Sequence, residues 1–403
     1  MSHPDDPARA ATGPLTTSSA DAVAGSGVRI AVDAMGGDHG ATEIVPGAVA
    51  YAASHPDDTV ILVGDTATIE RLAPTRPANV RIVQASEVVR MDEHPARALR
   101  EKKDATILVA TDLVRRGEAD AVVTAGHTGA GMAAAVLRLG RLKGVDRPGL
   151  AIQIPSGGRP FVLLDIGANP DSTAENLAQY ARMGAIFSER VLGVDRPRVA
   201  LLSIGEEKGK GEARVQRATE LFDETNVNFV GNVEGKDLTR QMADVVVCDA
   251  VLGNVVIKFF EGLSGFIFDL WRAEFRRSLR GRLAYLLMRP GIGRIRHVFD
   301  YEAVGGSPLL GVRGAVIITH GRAKRRMIEH AVRVGATTAR ERVPERIAEA
   351  LAADALAEAQ AGHDAAHAGP PRASSDVDEA LAAIETEAAD RDVADPVVAR
   401  EGG

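Results

Sequence analysis

The segment Ser203-Ile-Gly-Glu-Glu-Lys-Gly-Lys-Gly-Glu212 packs three glycines, two lysines and three carboxylates into ten residues, directly after the apolar run Val199–Leu202. Glycine lets backbone N–H groups close on a ligand, and an ammonium beside such groups can grip an anion or stabilise a developing oxyanion. Lys210, between Gly209 and Gly211, is the candidate catalytic cation, and Gly205 opens the same loop. The competing reading is a solvated surface loop. A second constellation, Asp33-Ala-Met-Gly-Gly-Asp38, sets Asp33 and Asp38 around Gly36 and Gly37 at the end of an apolar run. Ligands of open α/β sheets bind at the C-terminal ends of strands, although a plain tight turn would also use Gly-Gly. In Gly126-His-Thr-Gly129, His127 and Thr128 stand at an expected helix N-terminus, where free N–H groups favour phosphate. A histidine that only caps that helix is the preferred alternative.

These residues need elements to hold them. Short apolar runs at Val60–Val63, Val80–Val83, Ala121–Thr124, Phe161–Asp165, Val199–Leu202, Asn228–Val230 and Val245–Cys248 alternate with helical patterns, including one over Ala130–Leu142. Most of these runs end in glycine and polar residues: Asp165 with Asn169, Asn232 after Gly231, and Asp249 before Gly253-Asn254. Such alternation predicts an α/β fold with a mainly parallel sheet covered on both faces, its strand ends meeting at one cleft.

Composition narrows the class. The chain has 403 residues, 45% of them hydrophobic, and one cysteine, Cys248, so neither a disulfide framework nor a cysteine-based metal cluster is available. Residues 1–26 lack an apolar signal region, and the longest apolar stretch, Val255–Trp271, is interrupted by Lys258, Glu261 and Asp269. The expectation is a cytoplasmic protein without a membrane span. Net charge is −7 overall; residues 1–26 carry −2 and residues 346–403 carry −9, which leaves residues 27–345 at +4. A mildly basic body suits anionic ligands. The expected organisation is a tail over 1–26, one catalytic domain over 27–345, and an acidic, Ala-rich, largely disordered tail over 346–403 that starts helical and is broken at Gly369-Pro370-Pro371.

Gly205–Gly211 is one residue short of a P-loop, no dinucleotide fingerprint follows the first strand, and neither G-x-S-x-G nor H-E-x-x-H occurs. Covalent serine or cysteine catalysis and bound zinc are therefore unsupported. Positioning and electrostatics remain.

The chain resembles the phosphate acyltransferase family known as PlsX, the acyl-acyl carrier protein:phosphate transacylases. The resemblance rests on Asp33–His39, Ala125–Ala130, Arg147-Pro148, Leu163–Asn169, Gly205–Gly211, Phe229–Glu234, Gly253-Asn254, Gly305-Gly306-x-x-Leu-x-Gly311 and His320-Gly321, in order over roughly residues 28–335. It implies a three-layer α/β/α fold like that of isocitrate and isopropylmalate dehydrogenases, usually in a homodimer. It also implies that inorganic phosphate attacks the thioester of a long-chain acyl-acyl carrier protein to give acyl phosphate for phospholipid synthesis, with no cofactor and no metal. Lys210 would be the catalytic cation. The substrate would be bound by Asp33, Gly36, Gly37, Asp38, Gly126, His127, Thr128, Gly129, Asp165, Asn169, Gly205, Asn232, Asp249, Asn254, Gly305 and Gly306. The chain departs from the family at His127 and Glu212, where asparagine is usual, and at Asp249-Ala-Val-Leu-Gly-Asn254, which stands for Asp-Gly-Phe-Thr-Gly-Asn.

Phe259–Phe299 holds six of the ten phenylalanines and the only tryptophan, and Arg272–Arg296 carries eight arginines against one acid, Glu274. A helix apolar on two sides is buried or at an interface, and a basic amphipathic stretch suits an acidic helix or anionic lipid. Peripheral membrane contact through 259–296 and a dimer interface are both open; nucleic acid is not expected. The rival functions are a phosphotransacetylase or dehydrogenase of the same fold, and a non-catalytic membrane scaffold.

Overall fold

A computed structural model describes residues 27–156, 158–298 and 301–367; the segments 1–26 and 368–403, with the tail behaviour expected there, lie outside the described residues. The chain divides into two units, Met1–Glu349 and Ala350–Gly403. In the first, β1 (Arg29–Asp33), β2 (Thr59–Gly64), β3 (Val80–Gln84) and β4 (Ala121–Thr124) alternate with α1 (Ala41–Ser54), α2 (Thr66–Leu72), α3 (Pro95–Glu101) and α4 (Thr106–Arg115). Then come α5 (Thr128–Arg138), β5 (Gly149–Ile154), β6 (Phe161–Leu164), α6 (Ala174–Leu192), β7 (Arg198–Leu202), α7 (Ala213–Glu224), β8 (Asn228–Val233) and β9 (Val245–Val247). The helices α8 (Ala250–Arg276) and α9 (Leu279–Val298) precede β10 (Ser307–Leu310), β11 (Ala315–Ile318), α10 (Arg325–Arg340) and α11 (Val343–His367).

Among the described residues, eleven strands join one sheet in the order β3-β2-β1-β4-β11-β10-β5-β6-β9-β7-β8. Pairing is parallel from β3 to β11 and again from β6 to β8. Between them, β10 and β5 pair antiparallel with their neighbours and fuse the two halves. The fold is thus α/β and mainly parallel, with an antiparallel middle. Side chains alternate along β1: Ile30 and Val32 enter a core with Tyr51 of α1 and Ile328 of α10, while Ala31 enters the opposite core with Leu108 of α4 and Ala134 of α5. Both faces are buried, so the strands read as unbroken apolar runs.

Local chemistry sets the ends of the elements. α6 starts in a capping box, where Thr173 accepts from the Asn176 N–H and Asn176 accepts from the Thr173 N–H, and it stops at Gly193 with φ +64°. β8 carries a bulge at Gly231, φ +101°, so the strand runs on to Val233 through residues that the sequence pattern assigns to a loop. At the other end of the molecule's first unit, Val343 and Ile347 are both fully buried, so the folded body extends past residue 345.

Helix α8 changes character along its length. Ala250, Gly253 and Ile257 are buried in the body, and no residue of the helix beyond Ile257 is. Phe259 and Phe266 are 68% and 60% exposed, with Leu263 and Leu270 exposed beside them. Phe275 of α8 meets Tyr285 of α9 at 5.6 Å between ring centroids. By length and composition alone α8 is apolar enough to cross a membrane. Its few charges leave the mean hydropathy in the range of membrane-crossing helices.

Candidate functional site

Three loops clasp one another at the C-terminal ends of β1, β4 and β11. Asp33, buried at the end of β1, accepts a 2.8 Å hydrogen bond from the Thr124 hydroxyl, and Thr124 in turn accepts from the Gly126 N–H at 3.0 Å. Burial pushes the Asp33 carboxyl up, against the pull of its bonds to Thr106 and Thr124. A Cβ on Gly36 would lie 2.8 Å from Asp33 Oδ2 and 2.9 Å from the Gly126 Cα; Gly37, at φ +78°, would place one 2.9 Å from the Gly321 carbonyl. The Asp38 N–H donates to that same carbonyl at 2.8 Å. Gly36 and Gly37 are therefore required for loop-to-loop approach. His127 caps α5, its Nδ1 accepting from the Gly129 N–H at 3.0 Å, which leaves the proton of the neutral ring on Nε2.

On the other half of the sheet, Asp165 follows β6 and is fully buried. Its carboxylate accepts from four backbone N–H groups: Leu150 at 3.0 Å, Gly167 at 3.1 Å, Ala168 at 2.9 Å and Asn169 at 2.8 Å. Burial pushes this carboxyl up, and the four donors pull it part of the way back. Asn169 donates onward to Asn176 at 3.3 Å. The first turn of α8 presses on the same residue, since a Cβ on Gly253 would fall 1.9 Å from the Asp165 carbonyl oxygen. Asp249 caps α8 by accepting from the N–H groups of Val251 and Leu252, both at 3.0 Å, and its other oxygen lies 3.4 Å from Arg214. Arg214 also binds Glu212, one of the positions where this chain departs from the family pattern, and the Ser172 carbonyl at 2.9 Å.

The loop 203–212 curls so that Lys210 lies over Gly205, where a Cβ would stand 2.8 Å from Lys210 Cγ. Asn232 of β8 anchors that loop by donating to the Glu207 carbonyl at 3.2 Å, while its own carbonyl accepts from Thr219 at 3.4 Å. Lys208 is paired with Asp223 at 2.6 Å. Lys210 is exposed.

A cavity of about 580 Å³ opens at the strand ends between the two halves of the sheet. Of the residues expected from sequence, Thr128, Asn254 and Gly306 line it, but Lys210 does not. Gly305, next to Gly306, has φ +77° and packs against His330 of α10. Most of the wall is apolar, with Leu150, Ile152, Ile166, Val255 and Ile318. Its polar end is a cluster that sequence reasoning passed over. Lys258 Nζ stands 3.1 Å from His320 Nε2 and 3.1 Å from the Glu261 carboxylate. Burial, and then the Lys258 charge, lower the pKa of His320. The available signal was Lys258 and Glu261 at i,i+3 on a helix; it was read only as a break in an apolar run. A separate cavity of about 620 Å³ lies between α8 and α9, lined by Arg272, Arg276, Arg282 and Arg289 with Trp271 and Tyr285. It holds none of the strand-end residues.

The mainly parallel α/β fold is shared with phosphotransacetylases. The phosphotransacetylase of Streptococcus pyogenes superposes with a TM-score of 0.54 at 18% identity, covering 78% of this chain and 94% of that one. The EutD phosphotransacetylase of Staphylococcus aureus gives 0.51 at 15% identity, with the same two coverages of 78% and 94%. At such identities the likeness is one of fold. Sequence goes further: the family described as "Fatty acid synthesis protein" matches residues 28–346. A phosphate acyltransferase of Desulfitobacterium hafniense is 49% identical over 312 residues, which are 76% of this chain and 92% of the relative. The phosphate acyltransferase of Heliobacterium modesticaldum is 48% identical over 313 residues, with the same coverage. The chain belongs to this phosphate acyltransferase family and is an acyltransferase.

Proposed function

We propose that the chain transfers a long-chain acyl group from acyl-acyl carrier protein to inorganic phosphate, giving acyl phosphate for phospholipid synthesis. One observation carries this reading beyond family membership: a single cavity has apolar walls, suited to an acyl chain, and an ammonium at its polar end, suited to an anion. A phosphate oxygen bonds to the thioester carbon, and the tetrahedral intermediate collapses with loss of the C–S bond. The proton carried by hydrogen phosphate ends on the departing thiol. Phosphate is itself the nucleophile, so the chain needs to supply none. Cys248 would serve poorly, since burial pushes its thiol well above the ordinary value.

In this scheme Lys210 grips phosphate from the glycine loop. Asp33, Asp38 and Asp249 orient loops rather than attack, and the N–H groups around Gly36, Gly37 and Gly126–Gly129 help to bind anionic groups. The donor protein is acidic, and the arginine-lined face of α8 and α9 is a complementary surface. The same exposed helices supply a homodimer interface and peripheral contact of this cytoplasmic enzyme with membrane, which together would cover Phe259 and Phe266.

The test is phosphate-dependent thiol release from palmitoyl-acyl carrier protein, with hydroxylamine trapping of acyl phosphate. Release needing both enzyme and phosphate, and undiminished by EDTA, is expected. Release only from acyl-coenzyme A would transfer the assignment to that donor, and lipid binding without turnover would leave a scaffold.

A further inference from the structure

Lysine carries three N–H donors. In Lys258, one is directed to the Glu261 carboxylate and one to His320 Nε2, each at 3.1 Å, while the residue lines the cavity and its side chain stays 48% exposed. That leaves one donor for a ligand. Glu261, only 17% exposed, lies one helical turn along α8 and also faces Arg322 at 4.0 Å, so the pair is held from two sides. Arg322 further donates its backbone N–H toward His320 Nδ1 at 3.2 Å. A neutral imidazole has one acceptor nitrogen, so the ring accepts from Lys258 only in the form with its proton on Nδ1, facing the Arg322 N–H; an imidazolium, which has no acceptor, fits neither contact. The charged groups around the ring are Lys258 and Glu261 from α8, Arg322 from its own loop and Asp38 from the loop after β1.

We propose that Lys258 is the cation that meets the developing oxyanion, and that neutral His320 and Glu261 are the residues that position its ammonium. The inference rests on the acyl-transfer reading above and places the reacting carbonyl at the polar end of the cavity, which Lys258 lines and Lys210 does not. As the phosphate oxygen bonds to the carbonyl carbon, the carbonyl π pair moves onto oxygen and the third Lys258 N–H hydrogen-bonds to it without giving up its proton. When the C=O bond re-forms, the C–S pair leaves with sulfur. Below the lowered pKa of His320, itself below the ordinary 6.5, an imidazolium would face the ammonium and push it out of place.

The experiment measures phosphate-dependent thiol release by wild type, Lys258→Met, Lys258→Gln, His320→Ala and His320→Gln, each checked for folding by circular dichroism. Both Lys258 variants should lose about 10²–10³-fold in kcat, the usual cost of one oxyanion donor. His320→Ala should lose part of that, and His320→Gln, whose amide oxygen still accepts from Lys258 but does not titrate, should recover it. Wild type should fall relative to His320→Gln as pH drops below the ordinary histidine range, a ratio in which the titration of phosphate itself cancels. Folded Lys258 variants within about threefold of wild type would overturn the catalytic role. A ratio of wild type to His320→Gln that stays flat down to the lowest pH at which both remain folded would overturn the positioning role. A wild type that releases no thiol overturns both the inference and the reaction beneath it.

Discussion

The two ends of α8 make an instructive pair. Its first turns are tied into the body by the Asp249 cap, by Gly253 against the Asp165 carbonyl and by buried Ile257, and they deliver Asn254 and Lys258 to the cavity. Beyond Ile257 its outer face carries Phe259, Phe266 and Leu270 into solvent, with α9 alongside the last turns. One continuous helix thus changes from a catalytic support to a largely exposed surface beyond Ile257. Backbone approach sets the first behaviour and composition the second. Mutations at the two ends should therefore have unlike consequences.

The strongest way to break this contrast is Gly253→Ala. The added Cβ would sit 1.9 Å from a backbone carbonyl that belongs to a fully buried residue, so neither partner has a free side-chain end to move aside. Overpacking of this kind costs about 3 kcal/mol, near the top of the usual range. The variant should melt at clearly lower temperature and lose activity, because a shift of α8 carries Asn254 and Lys258 with it. An unchanged melting curve would mean that the first turn is not held against Asp165.

A smaller effect separates capping from pairing at Asp249. Asp249→Ala removes an acceptor from two N–H groups and should cost about 1 kcal/mol. Asp249→Asn keeps the acceptor and weakens only the contact with Arg214, which retains Glu212 and the Ser172 carbonyl. Chemical denaturation should find the asparagine variant close to wild type. Equal losses in both variants would assign the stability to the ion pair instead.

What the sequence made legible follows the same division between local and distant causes. The parallel strands announced themselves as short apolar runs ending in glycine, and β4 starts and ends where its run does. The strands β5, β10 and β11 were not read, although Ala315–Ile318 is wholly apolar: β11 pairs with β10 and β5 with β6 across short connections, but the join of β10 to β5 brings together distant parts of the chain. The helix after Gly126-His127 was read from Ala130 but begins at Thr128, since the His127 cap decides its first residue. At the site, Gly36 and Gly37 were recognisable as positions of close approach, but not that they meet Gly126 and Gly321. Lys258 and His320, 62 residues apart, form a pair only through the fold. Lys210 stood out because its loop concentrates charge and glycine locally, and local density is what a sequence displays best.

The far end of α8 should give the smallest effect on the body and thereby sharpen the comparison. Phe259→Asp and Phe266→Asp change side chains that are 68% and 60% exposed, so each should move unfolding of the domain by no more than about 0.5 kcal/mol. Turnover at saturating carrier-protein thioester should stay near that of wild type if the cavity is complete within one chain, with any loss of carrier docking appearing in KM. The consequences belong to the surface: sedimentation should register any loss of a dimer, and flotation with anionic vesicles at low salt any loss of lipid contact. A carboxylate on an apolar face costs most where that face is desolvated, so whichever assay responds identifies what covers these phenylalanines. If neither responds while thermal stability falls sharply, the two ends of α8 are one cooperative element, and the contrast between them is wrong.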